Sequence, residues 1–251
     1  MVEKKRLPVW SRILLGATGL LVVLMLGFVA WSETPAKPMP EALAALQTNP
    51  RGIVSNGGWL TFQPAGMQPT TGFIIYPGGR VDYRAYAPTA QAIATKGFLV
   101  VIVRMPLNLA VFKPGAAVDV MAAFPQILHW AVGGHSLGGS MAANFVYTHP
   151  GAVEGLVLWA SYPAASNSLS HSKVRVLSIS ATRDGLSTPV KITASVSLLP
   201  ADIVWLVIQG GDHAGFGWYG PQSGDNPASI SRADQQVQIV QATVDFLNTL
   251  Y

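Results

Sequence analysis

The sequence predicts an α/β domain with a mostly parallel central sheet, helices on both faces of that sheet, and one transmembrane helix in front of it. Short uncharged runs rich in Val, Ile and Leu alternate with segments of helical character, which is typical of parallel strands buried on both faces. Half of the 251 residues are hydrophobic and only 11% are charged, so one large core can form. A separate apolar run near the N-terminus is long enough to cross a bilayer.

That N-terminal region is a basic segment followed by the apolar run. Residues 1–12 hold four basic residues and are predicted to be a cytoplasmic N-terminus. Residues 13–32 are uncharged and are predicted to be the transmembrane anchor. The nineteen residues from Ile13 to Trp31 would rise about 28 Å as a helix, close to the hydrocarbon thickness of a membrane. The alternative is a cleaved signal peptide, whose apolar region would be unusually long. An uncleaved anchor places the domain outside the cytoplasm on the cell membrane, and a cleaved signal would secrete it.

A proline-rich stretch separates the anchor from the domain. Residues 33–51 are predicted to be a linker, which is extended at its prolines because each one disfavours helix in the residue before it. A short helix is predicted within it, over Glu41–Gln47. The α/β domain then takes residues 52–251.

The elements of the domain follow from local patterns along the chain. Strands are predicted over short, mostly apolar runs: Trp59–Phe62, Gly72–Tyr76, Phe98–Val103, Ile127–Val132, Leu156–Ala160, Val174–Ser180 and Ile203–Ile208. Helices are predicted between them: Tyr83–Thr95, Ala116–Phe124, Met141–His149, Pro189–Leu198 and Arg232–Leu247. The first of these helices ends before Gly97 and the second before Pro125. The last is expected to bury the face that carries Val237, Val240, Val244 and Leu247.

Composition excludes several kinds of site. Cysteine is absent, so the chain has no disulfide, thiolate ligand or cysteine nucleophile. Most of the net charge of +4 comes from the first twelve residues, since 12 basic and 11 acidic residues remain after them. Without a basic stripe among aromatic residues, nucleic acid is not an expected partner. The histidines have no companions at metal-ligand spacing, so neither a metal nor another cofactor is expected.

The stretch Gly134-His135-Ser136-Leu137-Gly138 contains a G-x-S-x-G pattern. A predicted strand precedes it and a predicted helix follows, and in that context the pattern forms a sharp turn that exposes the serine hydroxyl. Glycines flank Ser136 because side chains there would collide where strand and helix approach each other. The alternative is a glycine-rich turn with an incidental serine.

A serine hydroxyl becomes a useful nucleophile only when a base takes its proton. Asp184 and His213 each follow a different predicted strand, and the carboxyl ends of parallel strands meet at one edge of a sheet. Their order along the chain, Ser136, Asp184, His213, is that of the α/β-hydrolase arrangement. Asp212 and Asp225 remain alternatives for the acid, although Asp212 is adjacent to the histidine and neighbouring side chains usually diverge.

On these motifs, together with Tyr76-Pro77-Gly78-Gly79-Arg80, the sequence resembles the α/β-hydrolase family over about residues 53–250, in a compact branch of bacterial serine hydrolases. The resemblance implies the α/β-hydrolase fold and cleavage of a carboxylic ester, or a related acyl bond, through an acyl-serine intermediate. Ser136 would attack, His213 would move the proton, and Asp184 would orient the imidazole.

An oxyanion hole completes this expectation. The backbone N–H of Leu137, next after the nucleophile, is its first predicted donor. The resemblance implies Gly79 as the second, with Arg80 as the neighbouring possibility.

The substrate pocket is predicted from the same strand ends. Arg80, Met105, Phe216 and Trp218 are its candidate lining residues, and packing in the core is the alternative for the aromatic residues of the loop after His213. Only thirteen residues connect Ala160 to Val174, where many relatives carry a helical lid, so an open site and a small acyl ester are expected. Acyl transfer and thioester cleavage are alternatives on the same triad. A different class is a non-catalytic member of the fold that binds a ligand or a partner protein.

Overall fold

The computed structural model describes residues 8–47, 54–55 and 58–250. The basic residues Lys4, Lys5 and Arg6 and the predicted start of the domain at residue 52 lie outside these ranges. The strands are β1 Val54–Ser55, β2 Trp59–Phe62, β3 Thr71–Tyr76, β4 Leu99–Val103, β5 His129–His135, β6 Gly155–Trp159, β7 Arg175–Ala181 and β8 Val204–Ile208. The helices are α1 Val9–Ser32, α2 Pro40–Gln47, α3 Ala87–Ala94, α4 Ala116–Ala123, α5 Leu137–Thr148, α6 Pro189–Ala194 and α7 Arg232–Leu247.

One sheet runs through the domain in the order β1-β2-β4-β3-β5-β6-β7-β8. Strand β2 is antiparallel to its neighbours, and the pairs from β4 across to β8 are all parallel. The structure therefore confirms the α/β-hydrolase fold class with a mostly parallel sheet.

The strand order reverses at β3, which lies between β4 and β5. From β3 the chain continues on one side to β4 and then returns to β5 on the other side, so the loops after β3 and β5 leave in opposite directions. They open a crevice at the carboxyl edge of the sheet, where α/β proteins bind their ligands.

Both faces of the sheet are covered, as the continuous apolar strands predict. Along β3, Phe73 and Ile75 pack into the core beneath α3 and α7, whereas Ile74 and Tyr76 pack into the core beneath α4 and α5. Successive side chains of a strand point to opposite faces, so a strand between two helical layers has apolar residues on both of its faces.

Several boundaries differ from the predicted ones because the turns are tighter. Helix α5 starts at Leu137 rather than at residue 141, directly after the serine. The region predicted as one helix over 83–95 begins with a 3-10 turn, Tyr83–Tyr86, before α3. Helix α6 likewise ends at Ala194 and is followed by a 3-10 turn, Val196–Leu198.

Strand β8 is the outer strand of the sheet, not an interior one. Its residues Val204, Trp205 and Val207 are 55%, 37% and 46% exposed, although the apolar run reads like that of a buried strand. An apolar run specifies a strand, but its neighbours decide which strand stands at the edge.

Helix α7 buries most of the predicted face, since Val244 and Leu247 are buried and Val240 packs against the core, but the first residue of that face is exposed. Val237 is 68% exposed, whereas Gln235 and Gln236 are buried. The first turns of α7 lie under the loop after β8, where the glutamine side chains satisfy backbone groups, and only its later turns bury apolar residues such as Phe246 and Leu247.

The stretch predicted as a linker is packed against the domain. Ala42 and Ala45 of α2 are buried, and α2 contacts α3. Before α2, the backbone of Ala36 forms a parallel bridge with Val81, in the loop after β3. The proline-rich segment before α2 thus pairs with a loop of the domain instead of spanning solvent.

Helix α1 is 24 residues long and precedes these contacts. Its most apolar window has a mean hydropathy of 2.6, and none of that window is buried in the protein. Length and composition alone therefore make α1 a candidate to cross a membrane.

Candidate active site

Ser136 stands at the turn between β5 and α5. Its backbone has φ 52° and ψ −122°, a conformation that residues other than glycine rarely adopt. The backbone N–H of Ser136 donates to the Trp159 carbonyl at 2.9 Å, and the Ser161 hydroxyl donates to the Ser136 carbonyl at 2.6 Å. Neighbouring groups thus hold a strained turn that leaves the serine side chain half-buried at the edge of the sheet.

The glycines of the motif are required by the close approach of β3. A side-chain carbon at Gly134 or at Gly138 would overlap the carbonyl oxygen of Tyr76, and at Gly139 it would lie 2.6 Å from the carbonyl oxygen of Gly134. Helix α5 can therefore begin directly above the sheet, with the serine at its first turn.

Asp184 and His213 form a buried pair at the neighbouring strand ends. Asp184 Oδ2 lies 2.8 Å from His213 Nδ1, and both side chains are fully buried. The other carboxylate oxygen, Oδ1, accepts the backbone N–H groups of Leu186 and Ser187 at 2.8 and 2.7 Å. With its carboxylate so satisfied, Asp184 can hold the imidazole with Nδ1 protonated and Nε2 free as a base.

The Nε2 atom of His213 is buried and has no hydrogen-bond partner among the described residues, so the hydroxyl of Ser136 is not bonded to it here. The imidazole of His213 packs at a centroid distance of 4.5 Å on the ring of His135, which directly precedes the serine. The structure thus brings the three predicted residues to one edge of the sheet, with the Asp–His contact formed and the Ser–His contact open. Such contacts are often long in ligand-free enzymes.

His135 joins the serine turn to the loop after β3. The backbone N–H of Gly78 donates to the Tyr86 hydroxyl at 3.0 Å, and that hydroxyl lies 2.9 Å from His135 Nδ1. Burial, reinforced by the neighbouring His213, lowers the pKa of His135 well below its ordinary 6.5, so the ring is neutral. Since Tyr86 accepts from Gly78, its own proton is free to be donated to Nδ1.

These contacts determine which backbone donors stay free near the serine. The N–H of Gly78 is bound to Tyr86, and the N–H of Arg80 donates to the Asn108 carbonyl at 2.8 Å. The N–H groups of Gly79 and Leu137 have no acceptor within the described part of the chain. A side-chain carbon at Gly79 would lie 3.0 Å from Leu137 Cδ2, so the two residues are direct neighbours.

Two positioning devices were not predicted from the sequence. Asp225 accepts the N–H of Gly185 through Oδ1 at 2.9 Å and the N–H of Ala214 through Oδ2 at 2.8 Å, and so ties the aspartate loop to the histidine loop. Gln235 of α7 accepts the N–H of Asp212 and donates to its carbonyl at 3.0 and 2.8 Å. The pair of adjacent glutamines, Gln235 and Gln236, near the start of α7 is the only trace of this contact in the sequence.

The predicted acid rivals are accounted for by these contacts. Asp225 does not face the imidazole, because both of its oxygens accept backbone N–H groups. Asp212 Oδ1 accepts the N–H of Gly215 at 2.6 Å, within its own turn.

A cavity of about 460 Å³ opens beside Gly79. It is lined by Gly79–Val81 of the loop after β3, by Leu109, by Pro221–Ser223 and by Trp31 at the end of α1. A larger cavity, of about 530 Å³, lies at the amino ends of β6 and β7 and so at the edge of the sheet opposite to the serine.

The four predicted pocket residues have different surroundings. Arg80 lines the cavity beside Gly79. Met105 is a core residue with 4% exposure, and Phe216 is fully buried with its ring stacked on His135. Trp218 lines a surface groove between α3 and α7, and its backbone N–H donates to the Ala85 carbonyl. Only Arg80 of the four therefore borders this cavity, because the loop after His213 turns inward instead of over the serine.

No cluster of three His, Asp or Glu side chains that could hold a metal occurs among residues 8–47, 54–55 and 58–250. The carboxylates at this edge of the sheet, Asp184, Asp212 and Asp225, accept hydrogen bonds from His213 or from backbone N–H groups.

Comparisons with known proteins agree with this architecture. No match is found among curated protein sequences. Among solved structures, an α/β serine hydrolase homologue from Coxiella burnetii is 17% identical with a TM-score of 0.56, and the match covers 80% of this chain and 97% of that one. Dienelactone hydrolase from Anabaena variabilis is 15% identical with a TM-score of 0.59, covering 76% and 91%. An esterase domain from Rhodothermus marinus is 11% identical with a TM-score of 0.59, covering 80% and 97%.

Likeness at such low identity shows the fold alone, so the family assignment depends on the sequence match. The sequence model of the alpha/beta hydrolase family matches residues 72–237, from β3 through the first turns of α7. That span includes the serine turn, the aspartate loop and the histidine loop. The match covers more than half of the chain, and the chain therefore belongs to the alpha/beta hydrolase family.

Proposed function

We propose that this chain is a serine hydrolase that cleaves a carboxylic ester through an acyl-serine intermediate, held on the membrane by α1 with its domain outside the cytoplasm. The observation that carries the proposal is the buried 2.8 Å contact of Asp184 with His213, at the strand end beside the strained serine turn. A binding protein has no need for a buried carboxylate that fixes the tautomer of a histidine next to a serine.

The reaction divides into two steps on these residues. In the first, Ser136 Oγ attacks the ester carbonyl carbon while His213 Nε2 takes the hydroxyl proton. The tetrahedral oxyanion accepts the N–H groups of Leu137 and Gly79, and its collapse expels the alcohol, which receives the proton from His213. In the second step, water attacks the acyl-serine with His213 again acting as base, and the carboxylic acid leaves as Ser136 recovers its proton.

Asp184 contributes through the imidazole. Its carboxylate keeps Nδ1 protonated in the resting state and stabilises the imidazolium that forms at each step. Both oxyanion donors are backbone groups without another acceptor in the described part of the chain, so no existing hydrogen bond has to break when the oxyanion forms.

Replacement of the serine tests this mechanism. Ser136→Ala should lower kcat for a short soluble ester such as p-nitrophenyl butyrate by about 10⁴-fold or more, and should abolish labelling by a fluorophosphonate. Ser140→Ala, one helical turn later and also half-buried, is the matched control and should keep both. A folded wild-type chain that neither turns over the ester nor labels would favour the binding-protein alternative.

Anchoring has its own support and its own test. Three basic residues precede an apolar helix of membrane-spanning length and Arg12 lies in its first turn, which favours a cytoplasmic N-terminus. Alkaline phosphatase fused after residue 251 should be active, since it folds only outside the reducing cytoplasm. A fusion that is inactive there, while a cytoplasmic reporter at the same position is active, would refute this orientation.

A further inference from the structure

We propose that the ester reaches Ser136 from the bilayer: the cavity beside Gly79 faces the membrane that α1 spans, and the substrate is an ester dissolved in its extracytoplasmic leaflet. This inference rests on the proposed function and names its substrate class. It departs from the small soluble ester that the sequence suggests. Four features of the structure support it.

The first feature is that Arg80, in the loop after β3, joins that loop to the end of α1. Its Nε donates to the Trp31 carbonyl at 3.0 Å and its Nη2 to the Thr34 carbonyl at 2.8 Å. The guanidinium also lies 4.2 Å from the centre of the Trp31 ring. A cation at the last carbonyls of a helix is favourable, and a tryptophan beside an arginine is typical of the membrane interface.

The second feature is that the chain leaving α1 is not a free tether. Asn108 Nδ2 donates to the Ser32 carbonyl at 3.0 Å. The N–H of Ala36 then donates to the Arg80 carbonyl at 2.7 Å, and the N–H of Asp82 donates to the Ala36 carbonyl at 3.1 Å. These bonds fix the orientation of the domain relative to α1, so the same edge of the sheet always faces the membrane.

The third feature is an apolar tip on the domain beside α1. Val111 and Phe112 are 45% and 51% exposed, and the ring of Phe112 meets that of Phe28 edge-on at 6.2 Å. Phe28 lies three residues before Trp31 and therefore about 4.5 Å deeper along the helix. With Trp31 at the interface, Phe112 reaches the apolar region of the leaflet, where its exposure is favourable.

The fourth feature is the continuity of this tip with the cavity. Leu109 lines the cavity and comes two residues before Val111, and Trp31 lines it from α1 itself. An ester whose acyl chain lies in the leaflet can therefore pass from the tip along Leu109 and Trp31 to Gly79, which is a direct neighbour of Leu137.

The depth of the tip can be measured without turnover. The chain has no cysteine, so Phe112→Cys gives one site for an NBD fluorophore. In the full chain reconstituted into phosphatidylcholine vesicles, that fluorophore should be quenched by lipids carrying a nitroxide on the acyl chain. Leu128→Cys is the matched control, because Leu128 is 67% exposed and precedes β5 at the opposite end from Ser136. Equal and weak quenching at both sites would overturn the proposal.

Turnover provides the second arm. In the same vesicles, Phe112→Asp should lower hydrolysis of 4-methylumbelliferyl oleate about tenfold or more, because an apolar side chain is replaced by a charge at the leaflet. Hydrolysis of soluble p-nitrophenyl butyrate should change less than about twofold, and Leu128→Asp should alter neither rate.

The outcomes separate this inference from the proposed function. A wild-type chain that cleaves the soluble ester but not the bilayer ester would refute delivery from the membrane and leave the hydrolase intact. Delivery from the membrane is likewise refuted if Phe112→Asp cleaves both esters at the wild-type rate or loses both equally. A wild-type chain that cleaves neither ester and does not label with a fluorophosphonate would refute the proposed function itself.

Discussion

The role of Asp184 can be tested by removing its charge while keeping its shape. In Asp184→Asn, the amide oxygen can still accept the N–H groups of Leu186 and Ser187, which now bind Oδ1. The amide NH₂ group then faces Nδ1 of His213. A donor at that position forces Nδ1 to become the acceptor, so the ring carries its proton on Nε2 and cannot take one from the serine.

The size of the effect follows from the cost of escaping this arrangement. Turning the amide over would restore an acceptor to Nδ1 but would place NH₂ against two buried N–H donors. Each donor left without an acceptor costs about 1–3 kcal/mol, so the active tautomer lies roughly 2–6 kcal/mol above the inactive one. The rate of acylation should therefore fall by roughly 30-fold to 10⁴-fold.

The assay is the second-order rate of fluorophosphonate labelling, together with kcat on p-nitrophenyl butyrate and a thermal unfolding curve. Asp212→Asn is the matched control and should stay within about threefold of the wild type, since an amide oxygen can replace Oδ1 as the acceptor for Gly215. If the Asp184 variant keeps more than about a tenth of the activity, or the Asp212 variant loses as much, the assignment of the acid is wrong.

Two further predictions concern stability. Gly138→Ala should destabilise the fold by about 3 kcal/mol or more, because its methyl group would overlap the Tyr76 carbonyl, whereas Gly115→Ala has open space and should change the unfolding free energy by less than about 1 kcal/mol; equal urea midpoints for the two variants would contradict the packing argument. His135 has a folded-state pKa below its unfolded 6.5, so the unfolded chain binds the extra proton and stability is lost as pH falls below 6.5, by about 1.4 kcal/mol per pH unit until the folded pKa is reached. His135→Gln should remove that contribution, and a pH dependence of unfolding identical to that of the wild type would show that the buried ring is not its source.

The residues that could be predicted from the sequence are those whose signal is local. Ser136 is set between two glycines, a strand and a helix, and each of these features is visible within about a dozen residues. Asp184 and His213 each follow an apolar run, and parallel strands necessarily bring their carboxyl ends together. Local pattern and sheet geometry together therefore predict one shared edge for the three residues.

The residues that could not be predicted act across long separations. Asp225 lies 40 residues from Gly185 and 11 from Ala214, and only the fold shows that its two oxygens satisfy both loops. Strand β8 has the same apolar composition as an inner strand, so its composition does not show that it pairs only with β7 among the described strands. The surroundings of the candidate pocket residues could not be predicted for a related reason: an aromatic residue such as Phe216 looks the same in the sequence whether it lines a cavity or, as here, stacks on His135.

Arg80 belongs both to the contacts between the domain and the end of α1 and to the backbone beside the proposed oxyanion donor Gly79. Its φ of 55° is a conformation that costs a residue with a side chain about 1–3 kcal/mol. Three groups of bonds offset that cost: its N–H to Asn108, its carbonyl to Ala36 and its guanidinium to the end of α1. The N–H of the preceding Gly79 has no acceptor in the described part of the chain. The loop that carries the proposed oxyanion donor is thus bonded to the segment that follows α1, so a membrane anchor at α1 would be a structural part of the proposed active site rather than a separate tether.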